Sequence, residues 1–218
     1  MQFEELRKKI GFGLAAIVHW SELSQNQEFI SGLNLTEWQA IWNQICANPE
    51  IDIDKRSFLQ KIASVANTLD LWLFLCVKTP PDCIEIERQA CQEMSKFSAT
   101  FEVWSGIYEK YKNSHKLRSI SPIAIQKMSE LAKTFDQGLK IYQVAGALAV
   151  MPAMGGYLTF TGVVAENTVR IQKLGTTIMA EQAKTASQWD KLFRCTLCDE
   201  ELRNLAKKNR DQLRYLGS

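Results

Sequence analysis

The chain has 218 residues, of which 46% are hydrophobic and 23% charged, and its formal net charge is +2. This is the composition of a folded globular protein, so it excludes a disordered chain and a protein with several membrane spans. Basic and acidic residues nearly balance, whereas a dedicated nucleic-acid binder normally carries a large basic excess, and we expect no nucleic-acid partner.

The first part of the chain predicts two amphipathic helices. Residues 3–17 carry apolar side chains at helical spacing, so we expect a helix that ends near residue 22 rather than a cleavable signal peptide. A short helix follows over residues 36–48, where Thr36 and Gln39 have the spacing of a capping box.

The middle of the chain predicts two longer helices. One runs from about residue 54 to residue 78 and is closed by Pro80 and Pro81. The next runs over residues 82–111, and a helix of about 30 residues is roughly 45 Å long.

The last part of the chain predicts two long helices that fold back on each other. Ser121 and Pro122 have the sequence of a helix N-terminus, and the apolar stripe continues to Gly146. Pro152 interrupts it, and helical spacing resumes over residues 164–192. We find no convincing internal repeat, and the only stretch with strand character is the short "YLTFTGVV".

These elements together predict an all-α fold, a multi-helix bundle with a long antiparallel C-terminal helical hairpin whose tip is apolar. We expect one helical domain over residues 1–218, with a bundle portion at 1–118 and the hairpin at 119–218. The chain has six cysteines, of which Cys46, Cys76 and Cys91 lie in apolar, helix-periodic surroundings, and this favours reduced thiols and cytoplasmic synthesis without a cleavable signal peptide.

Residues 141–165 contain no charged side chain, and this segment is the main functional signal in the sequence. As one continuous helix it would be long enough to cross a bilayer, which takes about 20 apolar residues. As a hairpin, each arm has about ten apolar residues, or roughly 15 Å of helix, which reaches into one leaflet only. Burial under other helices or between subunits is the alternative.

We therefore expect the segment to be buried in the soluble form and to insert into a membrane or a subunit interface. Its partners would be membrane lipid or a second copy of the chain, and membrane association would depend on it. The side chains expected to make this apolar contact are Val144, Leu148, Val150, Met151, Met154, Tyr157, Leu158, Phe160 and Val163.

A long helical bundle with an apolar hairpin is similar in architecture to the α-helical pore-forming proteins. The similarity covers roughly residues 119–218, rests on no diagnostic motif and assigns no functional residue. It implies a hairpin that is hidden in the soluble form and exposed on membranes. The alternative is a cytosolic adaptor or assembly scaffold, whose long helices present a groove or a coiled-coil face to a protein partner.

Cys195 and Cys198 form a single C-x-x-C, which supplies only half of a tetrahedral zinc site. They are the only weak candidates for a metal site or a thiol-dependent enzyme, the least favoured function. The chain has two histidines and no Glu-x-x-His sequence, so it lacks the usual acid–base and di-iron residues. We expect no enzyme activity, no catalytic residue and no cofactor.

Overall fold

The structure is a computed structural model that describes residues 3–114, 116–149, 158–195 and 199–216. Over these residues it contains fourteen α-helices, one 3₁₀ turn and no strand, so the predicted all-α class is confirmed. The chain divides into two compact units, residues 1–97 and residues 98–218.

The first unit holds eight short helices, in which α2 (Phe12–Val18) packs on α5 (Leu35–Ala47) and α7 (Leu69–Lys78) packs on α8 (Ile84–Met94). An aromatic cluster forms much of its core: the rings of Trp20, Trp38, Trp42 and Phe58 lie within 5.1 to 6.4 Å of a neighbouring ring. The helices are α1 Phe3–Ile10, α2 Phe12–Val18, α3 Trp20–Leu23, α4 Gln27–Gly32, α5 Leu35–Ala47, α6 Lys55–Val65, α7 Leu69–Lys78 and α8 Ile84–Met94, with the 3₁₀ turn at Pro81–Cys83.

The described residues of the second unit form six helices, numbered α9 to α14 in chain order, which pack as three successive pairs: the first with the second, the third with the fourth, and the fifth with the sixth. These helices are α9 Phe101–Tyr111, α10 Leu117–Leu131, α11 Phe135–Ala149, α12 Leu158–Gln182, α13 Ala186–Phe193 and α14 Glu200–Leu216.

The boundaries predicted for the long helices are wrong, because each predicted helix is interrupted by a short connection between two helices, which we call a corner. The helix predicted over 82–111 is broken between Met94 and Phe101, and the one predicted to residue 78 is broken at residues 66–68. The predicted first helix is divided after Ile10, where Gly11 has a φ of 82° that favours glycine. Apolar residues keep their helical spacing across each break, so the sequence pattern does not indicate where the helix ends.

Two predicted helix starts are also wrong. The capping box of α5 is formed by Asn34 and Glu37, two residues before the predicted Thr36 and Gln39. Helix α10 begins at Leu117, so Pro122 lies inside it and Ser121 is fully buried instead of capping. A proline inside a helix removes one backbone hydrogen bond, which the packing of α10 must offset.

Five of the corners between helices share one capping arrangement, which the sequence analysis did not identify. At each of these five corners a helix ends, and two to six residues later an Asn or Thr side chain accepts a hydrogen bond from the backbone N–H three residues further on and caps the next helix. The first four caps are spaced by about 33 residues, which is the spacing of a helical repeat. The capping residues are Asn34, Thr68, Thr100, Thr134 and Thr185.

Buried side chains recur at fixed distances from these caps. The residue seven after each cap is a buried Ile or Leu, and the residue six before each threonine is Ile or Met with no exposed surface. Four of the six tryptophans stand four residues after a cap. These tryptophans are Trp38, Trp72, Trp104 and Trp189.

The helix pair α11–α12 departs from this repeat in two ways. The interval from Thr134 to Thr185 is about 50 residues, longer than the other intervals by about half a repeat. Gly138 also occupies the position that carries tryptophan in the other four copies. The additional length contains most of the charge-free segment 141–165.

Candidate functional site

The ends of the α11–α12 pair are fixed by two matching corners with the sequence Ala-Lys-Thr. The backbone N–H of Gln137 donates to Thr134 Oγ1 over 3.3 Å, and the backbone N–H of Gln188 donates to Thr185 Oγ1 over 3.2 Å. Each glutamine side chain also accepts the backbone N–H of the corner lysine, over 2.8 Å in both cases. The corners therefore set where α11 begins and where α12 ends.

Helices α11 and α12 approach so closely that their backbones touch at a pair of glycines. A Cβ atom placed on Gly138 would lie 2.9 Å from the carbonyl oxygen of Gly175, and one placed on Gly175 would lie 2.9 Å from the oxygen of Gly138. A tryptophan at position 138, as in the other copies, would prevent this approach. The glycine is therefore a requirement of this helix pair.

A buried glutamine joins the two helices one to two turns further along. The side chain of Gln172 is 7% exposed, and its Nε2 donates to the carbonyl oxygen of Tyr142 over 3.2 Å. Its Nε2 would also lie 2.5 Å from a Cβ on Gly146, so this second glycine makes room for the amide. From one contact to the next, the residue number increases in α11 and decreases in α12, which is the order found between antiparallel helices.

The structure describes one of the nine side chains expected to make apolar contact. Val144 is 5% exposed and lies beside the buried residues Ile141 and Ala145. For four others the backbone alone is described, within α11 or α12, and four lie outside the described residues. The former are Leu148, Leu158, Phe160 and Val163, and the latter are Val150, Met151, Met154 and Tyr157.

A compact apolar cluster closes the opposite end of the pair, next to the two corners. Cys195 belongs to this cluster, is 5% exposed and has its Sγ 3.5 Å from the carbonyl oxygen of Lys191. Cys198 lies outside the described residues, as does His115. Among the residues that the structure does describe, no three His, Cys, Asp or Glu side chains come together as a metal site. The other cluster members are Phe135, Met179, Trp189, Leu192 and Ala206.

Partly exposed charged side chains of the second unit form ion pairs with each other. Glu109 of α9 forms ion pairs with Lys112 and with Lys140 of α11, and the hydrogen bonds from these two ammonium groups lower the pKa of Glu109. On the other side, Asp190 of α13 pairs with Arg194 at 2.7 Å and with Arg210 at 3.3 Å. Such partly exposed pairs each contribute little stability.

None of the helices, as far as their residues are described, combines the length and the apolar character needed to cross a bilayer. Comparison with known proteins brings no assignment: no protein family, curated protein or solved structure matches the chain. Any function must therefore be argued from the residues themselves.

Sequence reasoning missed the features that define the site. The paired glycines and the buried Gln172 lie 26 to 37 positions apart in the chain, so no local pattern links them. The corners did carry a signal. Aligning the chain on its Thr-containing corners would have revealed the recurring tryptophan and the additional length after Thr134.

Proposed function

We propose that the chain is a membrane-active or self-assembling helical protein whose charge-free segment 141–165 enters a lipid leaflet or an interface between subunits. The observation that carries the proposal is the additional length of the α11–α12 pair within an otherwise regular repeat. This length coincides with a stretch of 25 residues without a charge, in a chain that is 23% charged.

The physical argument is the cost of leaving this segment in water. An apolar surface of this size is normally covered by protein or lipid, because exposed apolar patches promote association. We propose that α11 and α12 are the arms of a hairpin and that residues 141–165 form its tip. The glycine contact and Gln172 support this proposal, because Gly138 and Gly175 hold the two helices together outside the segment and Gln172 bonds to Tyr142 at its first turn.

The proposed insertion is shallow. Each arm contributes about ten apolar residues, or roughly 15 Å of helix, against a hydrocarbon core of about 30 Å. A hairpin of this size would enter one leaflet without crossing.

Liposome flotation with a dye-release assay tests the lipid form of this proposal. We expect the protein to float with vesicles of phosphatidylcholine or of phosphatidylcholine with an anionic lipid, and Val150→Asp to abolish binding. Aspartate costs about 3 kcal/mol at the centre of a bilayer-inserted helix, or about a hundredfold in partitioning. Val150→Leu is the matched control, because it keeps the site apolar and should bind as the wild type does.

A deletion provides the second arm of the test. Removing residues 151–167 brings Thr134 and Thr185 to a spacing of about 33 residues, as at the other corners. Gly138, Gly175 and Gln172 remain, so we expect the helical circular dichroism to persist while flotation and self-association are lost. Flotation by the shortened protein at wild-type level would refute a role for the segment. So would a wild-type protein that neither floats at any lipid composition or pH nor self-associates.

The second candidate function is an adaptor or assembly scaffold, and the repeated Thr-capped corners favour it. Helical repeats commonly present extended surfaces to protein partners. Sedimentation velocity separates insertion into lipid from assembly in solution. In a scaffold that assembles through residues 141–165, Val150→Asp breaks a stable oligomer in plain buffer, whereas a membrane-active protein changes only in the presence of vesicles.

A further inference from the structure

Two cysteine side chains meet between α7 and α8 in the first unit. The sulfur atoms of Cys76 and Cys91 lie 3.4 Å apart. Cys76 has no exposed surface, whereas Cys91 is partly exposed. Cys91 is therefore the more exposed residue of the pair, and its sulfur contacts that of a fully buried cysteine.

The position of Cys76 in the repeat sets it apart from its counterparts. It stands eight residues after the cap Thr68, and the other four copies carry a large aromatic side chain at that position. The other copies therefore have an aromatic ring at this position, whereas Cys76 places a small thiol there in contact with a second thiol. The aromatic counterparts are Trp42, Tyr108, Tyr142 and Phe193.

We propose that Cys76 and Cys91 form a reversible thiol–disulfide site, with Cys91 as the entry thiol and Cys76 as the resolving thiol. The oxidant is a low-molecular-weight disulfide such as glutathione disulfide. Bond formation requires the sulfurs to move from 3.4 Å to about 2.05 Å. Two side chains that already touch across a pair of packed helices can make this movement by rotating about their χ angles.

The reaction proceeds in two exchanges. The Cys91 thiolate attacks one sulfur of glutathione disulfide, which forms a mixed disulfide and releases one glutathione thiolate. The Cys76 thiolate then attacks the Cys91 sulfur, forms the protein disulfide and releases the second glutathione thiolate. The two protons from the cysteines end on the two glutathiones, so two protein thiols are oxidised and one disulfide is reduced.

The cross-link would change the first unit in a measurable way. It would close a loop of about 15 residues between α7 and α8, and such a link raises Tm by about 5–10 °C in a protein of this size. Because the two helices already contact each other, oxidation should leave the helical content unchanged.

Mass spectrometry of the folded, full-length protein tests the proposal. After incubation with glutathione disulfide, we expect the peptides that carry Cys76 and Cys91 to lose two hydrogen atoms together, a mass decrease of about 2 Da, whether or not the exposed Cys46 takes up glutathione. Digestion with trypsin should yield one linked pair of peptides, residues 62–78 and 89–96, because Lys61, Lys78, Arg88 and Lys96 provide the cleavage sites. Reduction should separate the pair and reverse the Tm shift.

Serine variants identify the role of each thiol. Cys91→Ser should lose the mass decrease and the Tm shift, and Cys76→Ser should retain one glutathione on Cys91. Cys46→Ser is the matched control, because Cys46 is exposed on α5, and it should form the linked peptides as the wild type does. A wild-type protein that keeps both thiols free, retains glutathione on Cys91 or links a different pair would overturn the proposal, and this readout requires no variant to fold.

Discussion

The contact between Gly138 and Gly175 makes a strong prediction about alanine substitutions in the second unit. We expect Gly138→Ala to destabilise the protein, although alanine is the better helix former by about 1 kcal/mol. The new Cβ would lie 2.9 Å from a backbone oxygen, and 3.1 Å from side-chain atoms of both Ile178 and Met179. Since a backbone atom cannot rotate away as a side chain can, α11 and α12 would have to separate.

The magnitude follows from two opposing effects. Forcing an additional methyl group into a packed interface costs about 1–3 kcal/mol, and the helix preference for alanine offsets about 1 kcal/mol of that cost. Gly106→Ala is the matched control, because position 106 lies within α9 with no atom within 4 Å of its added Cβ. The control should therefore gain up to about 1 kcal/mol, and the two variants should differ by about 1–3 kcal/mol.

Urea denaturation followed by circular dichroism measures this difference. Both positions lie in the unit formed by residues 98–218, so they report on the same folded body. Gly175→Ala should behave as Gly138→Ala does, because each Cβ would meet the oxygen of the other residue. If Gly138→Ala raised the free energy of unfolding as much as Gly106→Ala, the close approach of the helices would be wrong.

Two further predictions concern the corners and charges of the same unit. Thr185→Ala removes a capping box and should lower the free energy of unfolding by about 1 kcal/mol in urea titration, while Thr185→Ser, which keeps the hydroxyl, should lose much less. Glu109→Gln should cost less than about 1 kcal/mol at neutral pH, because the ion pairs of Glu109 are partly exposed, and added salt should reduce the difference. The pKa of Glu109 is lowered in the folded state by Lys112 and Lys140, so its contribution is present above the ordinary value of 4.5 and disappears as the pH falls through the lowered pKa. Stabilities of wild type and variant that fail to converge on acidification would contradict that origin.

The helical class of the fold could be predicted from the sequence because it depends on local spacing. Apolar residues at intervals of three and four indicate helices wherever they occur, and the described part of the chain is helical throughout its regular elements. Helix boundaries were harder to predict, because the apolar spacing continues through corners such as the one before Thr100. The deciding feature there is a single hydroxyl that accepts a backbone N–H, and Thr is common enough elsewhere for the signal to be weak.

The candidate site could be predicted only in part. The absence of charge over residues 141–165 is visible in the sequence, because it is a property of consecutive residues. The contacts of Gly138 with Gly175 and of Gln172 with Tyr142 depend on how α11 and α12 cross, which is a tertiary property. A single glycine within a helical pattern indicates either a weak helix or a close contact, and the sequence alone does not separate these.

The loss of tryptophan at position 138 and the additional length of the α11–α12 pair have a common physical explanation. A helix pair of ordinary length can be stabilised by a large side chain at its base, packed among the helices next to it. A longer pair extends its contact along its own two helices, so more of its stability must come from the interface between them. Close backbone approach at Gly138 and Gly175 provides extensive van der Waals contact there, and Gln172 satisfies its polar group within the same interface. The glycines are therefore expected to be needed for the long form of the pair, and a version shortened by residues 151–167 should tolerate Gly138→Ala better than the full-length chain does.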